Sequence, residues 1–149
     1  TGGALHDQLA TLGAEALVKT VANIPNNLTP EPQDDAQANS AHKLDKQDAR
    51  IDCQTDADAI QNKMRAFNPW PVCWSELNGE RVRFWAGHAE EGHADAGLIL
   101  SADKNGVLIG TGDGLLRVTQ LQTPGNKPLT AVQLANGNTF SQWSGNRFN

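Results

Sequence analysis

Asn68-Pro69-Trp70-Pro71, with the alternating residues 72–77, the pair Asn78-Gly79 and the alternating residues 81–86, is where this chain changes from helix to strand. Apolar side chains recur every second position on both sides of Asn78-Gly79, a pair that adopts positive φ easily. The expectation is an antiparallel hairpin with a tight turn. A residue that precedes proline is pushed out of helical space, so a helix upstream stops before Asn68-Pro69. That helix is expected to start with Thr55 as its cap and Asp58 reaching back to it. Its apolar stripe is Ile60, Met64 and Phe67.

Downstream the period stays near two. Residues 97–101 and 107–111 flank Asp103-Lys104-Asn105-Gly106, and residues 115–121 follow Gly112-Asp113-Gly114. About five short strands parted by glycine turns imply a small barrel or sandwich. Residues 129–134, after Pro128, are expected to form a short helix. Phe140 and Trp143 are expected to fold the Gly- and Asn-rich tail back onto the strands. Trp70 is assigned to plug the base of the barrel, although an aromatic side chain on such a surface also suits stacking with a nucleobase.

Upstream, residues 25–50 carry Pro25, Pro30 and Pro32 and few large apolar side chains, the composition of a linker. Before it, Leu5, Leu9, Leu12, Ala16, Leu17 and Val21 recur at helical spacing. A stripe of that size needs a partner surface. The opening residues read as the interior of a longer protein.

The chain has 149 residues, enough for one ordinary domain with an attached fragment. Its formal charge is −5, and residues 1–53 hold four basic against eight acidic side chains. Such a balance excludes a broadly basic nucleic-acid binder, so any contact with a polyanion rests on a local face. No apolar run is long enough to span a membrane, and no secretory signal is present. Cys53 and Cys73 lack the spacing of a zinc site or a disulfide framework and read as reduced, partly buried thiols. Asn27-Leu28-Thr29 has the form of a glycosylation sequon, without a secretory route to use it. His88, Glu90, Glu91, His93 and Asp95 read as a surface loop rather than a metal site. Gly110-Thr111-Gly112-Asp113-Gly114 lacks the Lys-Ser/Thr and the helix of a phosphate loop and reads as a turn.

Arg81 and Arg83, at i, i+2 on one strand face, with Arg117 on a neighbouring strand, are candidate phosphate contacts; the alternative is the ordinary wet face of a half-buried strand. Lys43, Lys46 and Arg50 of the linker have Asp45, Asp48 and Asp52 as local partners in a solvated connector, as Arg65 has Asp52 or Asp58.

Several motifs resemble one family. Ala49-Arg50-Ile51-Asp52, then Arg65-Ala66-Phe67-Asn68-Pro69-Trp70-Pro71 with Trp74, resemble the start of the C-terminal domain of methionyl-tRNA formyltransferases. Residues 110–116 and Pro128-Leu129 are similar to the same family's barrel. Residues 1–9 are similar to the last helix region of its catalytic domain. Cys53 departs from the family, which commonly has Trp after Ile-Asp.

The resemblance implies an α+β protein: a small OB-like β-barrel preceded by a helix, with an N-terminal helix and linker left over from a Rossmann-like formyltransferase domain. It divides the chain into a terminal catalytic-domain helix (1–24), an interdomain linker (25–53) and the barrel domain (54–149). It implies a non-catalytic, cytoplasmic piece that binds initiator methionyl-tRNA beside an upstream catalytic domain, with Lys43, Lys46 and Arg50 as candidate phosphate contacts because the family's linker runs past the tRNA. That domain would carry the catalytic Asn, His and Asp and use 10-formyltetrahydrofolate as co-substrate, leaving no cofactor in this chain. Exchange of the first helix between two copies is a further expectation. The alternatives are the barrel of a related formyltransferase acting on a sugar nucleotide or folate, and a non-enzymatic OB-like interaction domain.

Overall fold

The computed structural model describes residues 1–26, 29–137 and 140–149. Asn27 and Leu28 of the sequon lie outside the described residues, as do Asn138 and Thr139 of the tail. Helix α1 (Gly2–Asn23) is capped by the Thr1 hydroxyl, which accepts from the Ala4 N–H at 3.2 Å. None of its residues is buried, and Leu5, Leu9, Leu12, Leu17, Val18 and Val21 are all more than half exposed. Its N-terminus nevertheless presses on the rest of the fold: the Gly3 N–H donates to the Asn68 carbonyl at 2.9 Å. A Cβ on Gly2 would stand 2.2 Å from the Ala66 carbonyl oxygen, so only glycine allows that approach.

Helix α2 (Ala57–Ala66) buries Ala57, Ile60 and Met64. Its cap is Asp56, whose carboxylate accepts from the Ala59 N–H at 2.7 Å, and not Thr55 as the sequence suggested. The competing tie comes from the Gly112-Asp113-Gly114 turn: the Ala57 N–H donates to Asp113 and the Gly112 N–H to Thr55. A Cβ on Gly112 would meet the Gln54 carbonyl at 1.8 Å, so the Gly-rich turn is a packing corner against α2.

Six antiparallel strands follow: β1 (Cys73–Leu77), β2 (Glu80–Glu90), β3 (Ile99–Asp103), β4 (Gly106–Gly110), β5 (Leu115–Gln122) and β6 (Leu129–Thr130). The sheet order is β1-β2-β5-β4-β3, with β6 paired to β5. Asn78 and Gly79 both take positive φ, as the tight hairpin requires. Strand β2 is longer than its sequence pattern suggested and bulges against β5 near Ala86. His88 and Glu90 therefore sit in a strand rather than a loop. A five-residue helix α3 (Ala131–Ala135) begins with a Thr130–Gln133 capping box.

One face of the sheet holds the core, with Val82, Phe84, Ile99, Val107, Ile109, Leu116, Val118 and Leu121 against Ile60 and Met64 of α2. Ala49, Ile51 and Cys53 are also buried, and the Ile51 N–H donates to Trp74 while the Trp74 N–H donates to Ala49. The end of the Pro-rich stretch is thus laid along β1. Burial pushes both the Cys53 and the Cys73 thiol up to about 11.

The sheet is open, but the tail touches both of its edges. Phe148 bridges to Leu77 on β1, and Arg147 bridges to Leu98 beside β3. The Asn149 N–H donates to Glu76 at 3.0 Å, and the Ser75 hydroxyl donates to the Asn149 carbonyl oxygen at 2.6 Å. On the far edge, the Phe148 N–H donates to Gly97 and the Ile99 N–H to Asn146. The Phe148 ring is buried edge-on to Phe84, with centroids 5.1 Å apart.

Candidate functional site

The register of β1 against β2 decides which side chains share the outer wall. Cys73 faces Phe84 and Ser75 faces Val82, all four buried. By alternation Trp74, Arg83, Glu76 and Arg81 lie on the opposite face, paired Trp74 with Arg83 and Glu76 with Arg81. Trp85 continues that face, and its indole N–H donates to the Gln122 side-chain oxygen at 3.0 Å.

The corner Asn68-Pro69-Trp70-Pro71 stands at one end of this wall. Both Asn68-Pro69 and Trp70-Pro71 are cis. Val72 follows with φ of 66°, a region that costs a β-branched residue on the order of 1–3 kcal/mol. It is held there by burial and by its N–H, which donates to Phe67 at 2.9 Å. The Asn68 amide donates to the Trp85 carbonyl and fixes the corner to β2.

The corner turns Trp70 outward. Trp70 is 54% exposed and does not plug the fold, whereas Trp74 is 5% exposed. Trp74 is covered from outside: Arg81 stacks with its guanidinium carbon 3.8 Å from the ring centroid, and Arg50 lies at 5.7 Å. The Trp74 indole N–H donates to the Lys46 carbonyl at 2.9 Å. That bond draws the turn at residues 45–50 onto the wall, so Lys46 and Arg50 join Arg81 and Arg83. A stacked guanidinium keeps the N–H groups around its rim free for an anion.

Ion pairs within 4.0 Å among the described residues involve His6, His88, Arg117 and Arg147, and none of Lys46, Arg50, Arg81 or Arg83. Four cations thus stand on one wall without a carboxylate in contact. Glu76 is across from Arg81 in the register, but the Arg81 guanidinium is turned onto Trp74.

Arg117 does not extend this group. It lies opposite His88 near the other end of β2, with its side chain 17% exposed and gripped by both oxygens of Glu90. Hydrogen bonds from Arg117 hold the Glu90 carboxyl below the usual carboxylate range, with His88 adding to the effect. Lys43 lies on exposed chain before the 45–50 turn. Arg65 meets Asn62 rather than Asp52 or Asp58. Among the described residues no cluster of His, Cys, Asp and Glu is arranged to hold a metal ion.

Trp74 enters the sequence reading only as part of a motif and not as part of this wall, and Trp85 is missed. Trp85 follows Arg83 on a strand already assigned, and alternation from Arg81 was the signal that placed it on the same wall. Two shallow clefts meet at Arg81 and Arg83. One, of about 270 Å³, is lined by Lys46, Trp70, Trp74, Trp85 and both arginines. The other, of about 220 Å³, runs from the arginines over Gln122 and the turn 123–125.

Fold and wall define a class, a small α+β domain that presents a cationic, aromatic surface beside a long uncovered helix. The chain belongs to the formyl transferase C-terminal domain family, which residues 43–139 match. It is 50% identical over 137 residues to the methionyl-tRNA formyltransferase of Stutzerimonas stutzeri, covering 91% of this chain and 44% of that protein. It is 43% identical over 148 residues to that of Pseudoalteromonas translucida, covering 96% of this chain and 46% of the relative. The chain thus spans less than half the length of the curated relatives it matches. Among solved structures, HypX from Aquifex aeolicus in complex with tetrahydrofolic acid superposes with a TM-score of 0.62 at 21% identity. That match covers 85% of this chain and 22% of HypX, and it shows the shared fold.

Proposed function

We propose that this chain is the tRNA-holding C-terminal part of a methionyl-tRNA formyltransferase. The observation that carries the reading is the wall of Lys46, Arg50, Arg81 and Arg83, four cations without a contacting carboxylate among the described residues, in a chain of net charge −5. An acidic domain that keeps one wall positive draws a phosphate backbone to that wall and repels it elsewhere. Lys43, exposed and three residues before Lys46 in the chain, is proposed to add to the same field. Arg117 is spent on Glu90 and serves the fold.

The reaction of the whole enzyme is formylation of the methionyl amino group on initiator tRNA, with 10-formyltetrahydrofolate as donor. On this reading the catalytic Asn, His and Asp lie in the upstream catalytic domain. This chain supplies grip and position for the acceptor end, acts in the cytoplasm, and is inactive alone. Residues 1–24 close the catalytic domain, 25–53 connect, and 54–149 form the OB-like barrel. Closure of that barrel is supported by the tail 146–149, which bonds to β1 and to the chain around β3. The apolar face of α1 lies against the catalytic domain. No helix among the described residues is long and apolar enough to cross a membrane.

The kinetic test separates grip from chemistry. In the full-length enzyme, Arg81→Glu with Arg83→Glu is expected to raise the KM for methionyl-tRNA at least tenfold and leave the KM for the formyl donor within twofold. An unchanged KM for tRNA would remove this wall from the reading.

A further inference from the structure

We infer that the outer wall of β1 and β2 binds one unpaired nucleotide of a single strand, its base against Trp70 and its phosphate on Arg81 and Arg83. This deepens, and rests on, the reading of the wall as an RNA-facing surface. Phosphate attraction alone needs no aromatic side chain, yet this wall gathers three indoles around its cations. Trp74 is closed off by Arg81, and Trp85 is only partly open. Trp70 is the indole left free, at 54% exposure on a corner anchored by Asn68 and by the buried Val72. An exposed tryptophan on a rigid corner loses little freedom when a base stacks on it, and every base has a face to offer.

The two clefts give the geometry of the occupant. The aromatic one, about 270 Å³, has room for one nucleobase, and it shares Arg81 and Arg83 with the polar one over residues 122–125. A base placed beside Trp70 therefore has its own phosphate at the arginines. The chain continues over Gln122, Thr123 and Gly125. A base locked in a duplex cannot enter, because its faces are already stacked on its neighbours. The wall thus selects single-stranded RNA over duplex RNA, which electrostatics alone would not do.

The test uses intrinsic tryptophan fluorescence of the protein, titrated with an eight-nucleotide single-stranded RNA and with the eight-base-pair duplex that contains it. The expected result is quenching by the single strand, with an affinity at least fivefold above that for the duplex. Trp70→Ala should remove most of the quench and weaken single-strand binding roughly 10-fold or more, with duplex binding unchanged. Trp70→Phe should restore most of the affinity, and since Trp70 is exposed neither change should lower the melting temperature. Equal affinity for both RNAs, or a Trp70→Ala variant that still prefers the single strand, overturns the nucleotide site and leaves the electrostatic wall standing. Binding to neither RNA, with Arg81→Glu and Arg83→Glu also without effect, overturns both readings. Quenching by a protein ligand in place of RNA would also overturn them.

Discussion

Truncation of Phe148 to alanine should cost this domain more than any surface change, because that side chain packs the tail that joins the two sheet edges. Phe148 is 2% exposed and packs edge-on to Phe84 at 5.1 Å and to Trp143 at 6.4 Å between centroids. Loss of a buried phenylalanine to alanine costs about 3–5 kcal/mol, part of it the cavity left behind. The backbone bonds of the tail, Phe148 N–H to Gly97 and Asn149 N–H to Glu76, survive the substitution. The effect therefore reports side-chain packing. For a domain of roughly 100 residues each kcal/mol moves the melting temperature by roughly 4–8 °C, so a fall of about 12–40 °C is expected by calorimetry or circular dichroism. Phe84→Ala should be comparably severe. The double variant should cost less than the sum by about 0.5–1.5 kcal/mol, the coupling of an edge-on aromatic pair. A fall of less than about 5 °C for Phe148→Ala, or strict additivity with Phe84→Ala, would refute the claim that the tail closes the sheet through this contact.

The Glu90–Arg117 pair gives a pH signature. Because Arg117 holds the Glu90 carboxyl below its ordinary value near 4.5, the pair contributes stability above that pH and loses it as pH falls further. Wild type should melt above Glu90→Gln at pH 7, with the gap closing as pH drops below 4.5; a gap independent of pH would contradict the assignment. Arg117→Met should likewise lower stability and leave tRNA affinity unchanged, in contrast to Arg81 and Arg83. On α1, Leu9→Lys with Leu17→Lys should change the melting of this chain by no more than about 0.5 kcal/mol, since neither side chain is buried here. The same pair should weaken association with the catalytic part of the enzyme, measured by co-purification; strong destabilisation of the chain itself would show that α1 folds back onto it.

Much of the fold was legible because its signals are local. Asn78-Gly79 encodes positive φ, the alternation around it encodes two strand faces, and Ile60 and Met64 mark the buried side of α2. The sequence could not rank two caps one residue apart: Thr55 and Asp56 are both good caps, and the tie from Ala57 to Asp113 across the chain decided for Asp56. Nor could it tell which tryptophan is buried. Trp70 has the more conspicuous motif, but the 45–50 turn covers Trp74, and that contact spans 28 residues. Arg117 looked like a third member of the basic face because it too lies on a strand. Its partner, Glu90, is 27 residues away, on the part of β2 that glycine and histidine made look like a loop. The cationic wall was half visible: Arg81 and Arg83 follow from strand period alone, whereas Lys46 and Arg50 reach it through the Trp74 indole and the backbone bonds that lay residues 49–51 along β1.

Salt dependence of tRNA binding reads out the phosphate contacts of Arg81 and Arg83. Initiator tRNA should be titrated with wild type and with the Arg81→Glu, Arg83→Glu variant between low and physiological salt. Each phosphate contact contributes about 0.7–0.9 to the slope of log affinity against log salt concentration. The variant slope should be shallower by about 1.5, with at least tenfold weaker binding at low salt. Two parallel lines of equal height would contradict those contacts.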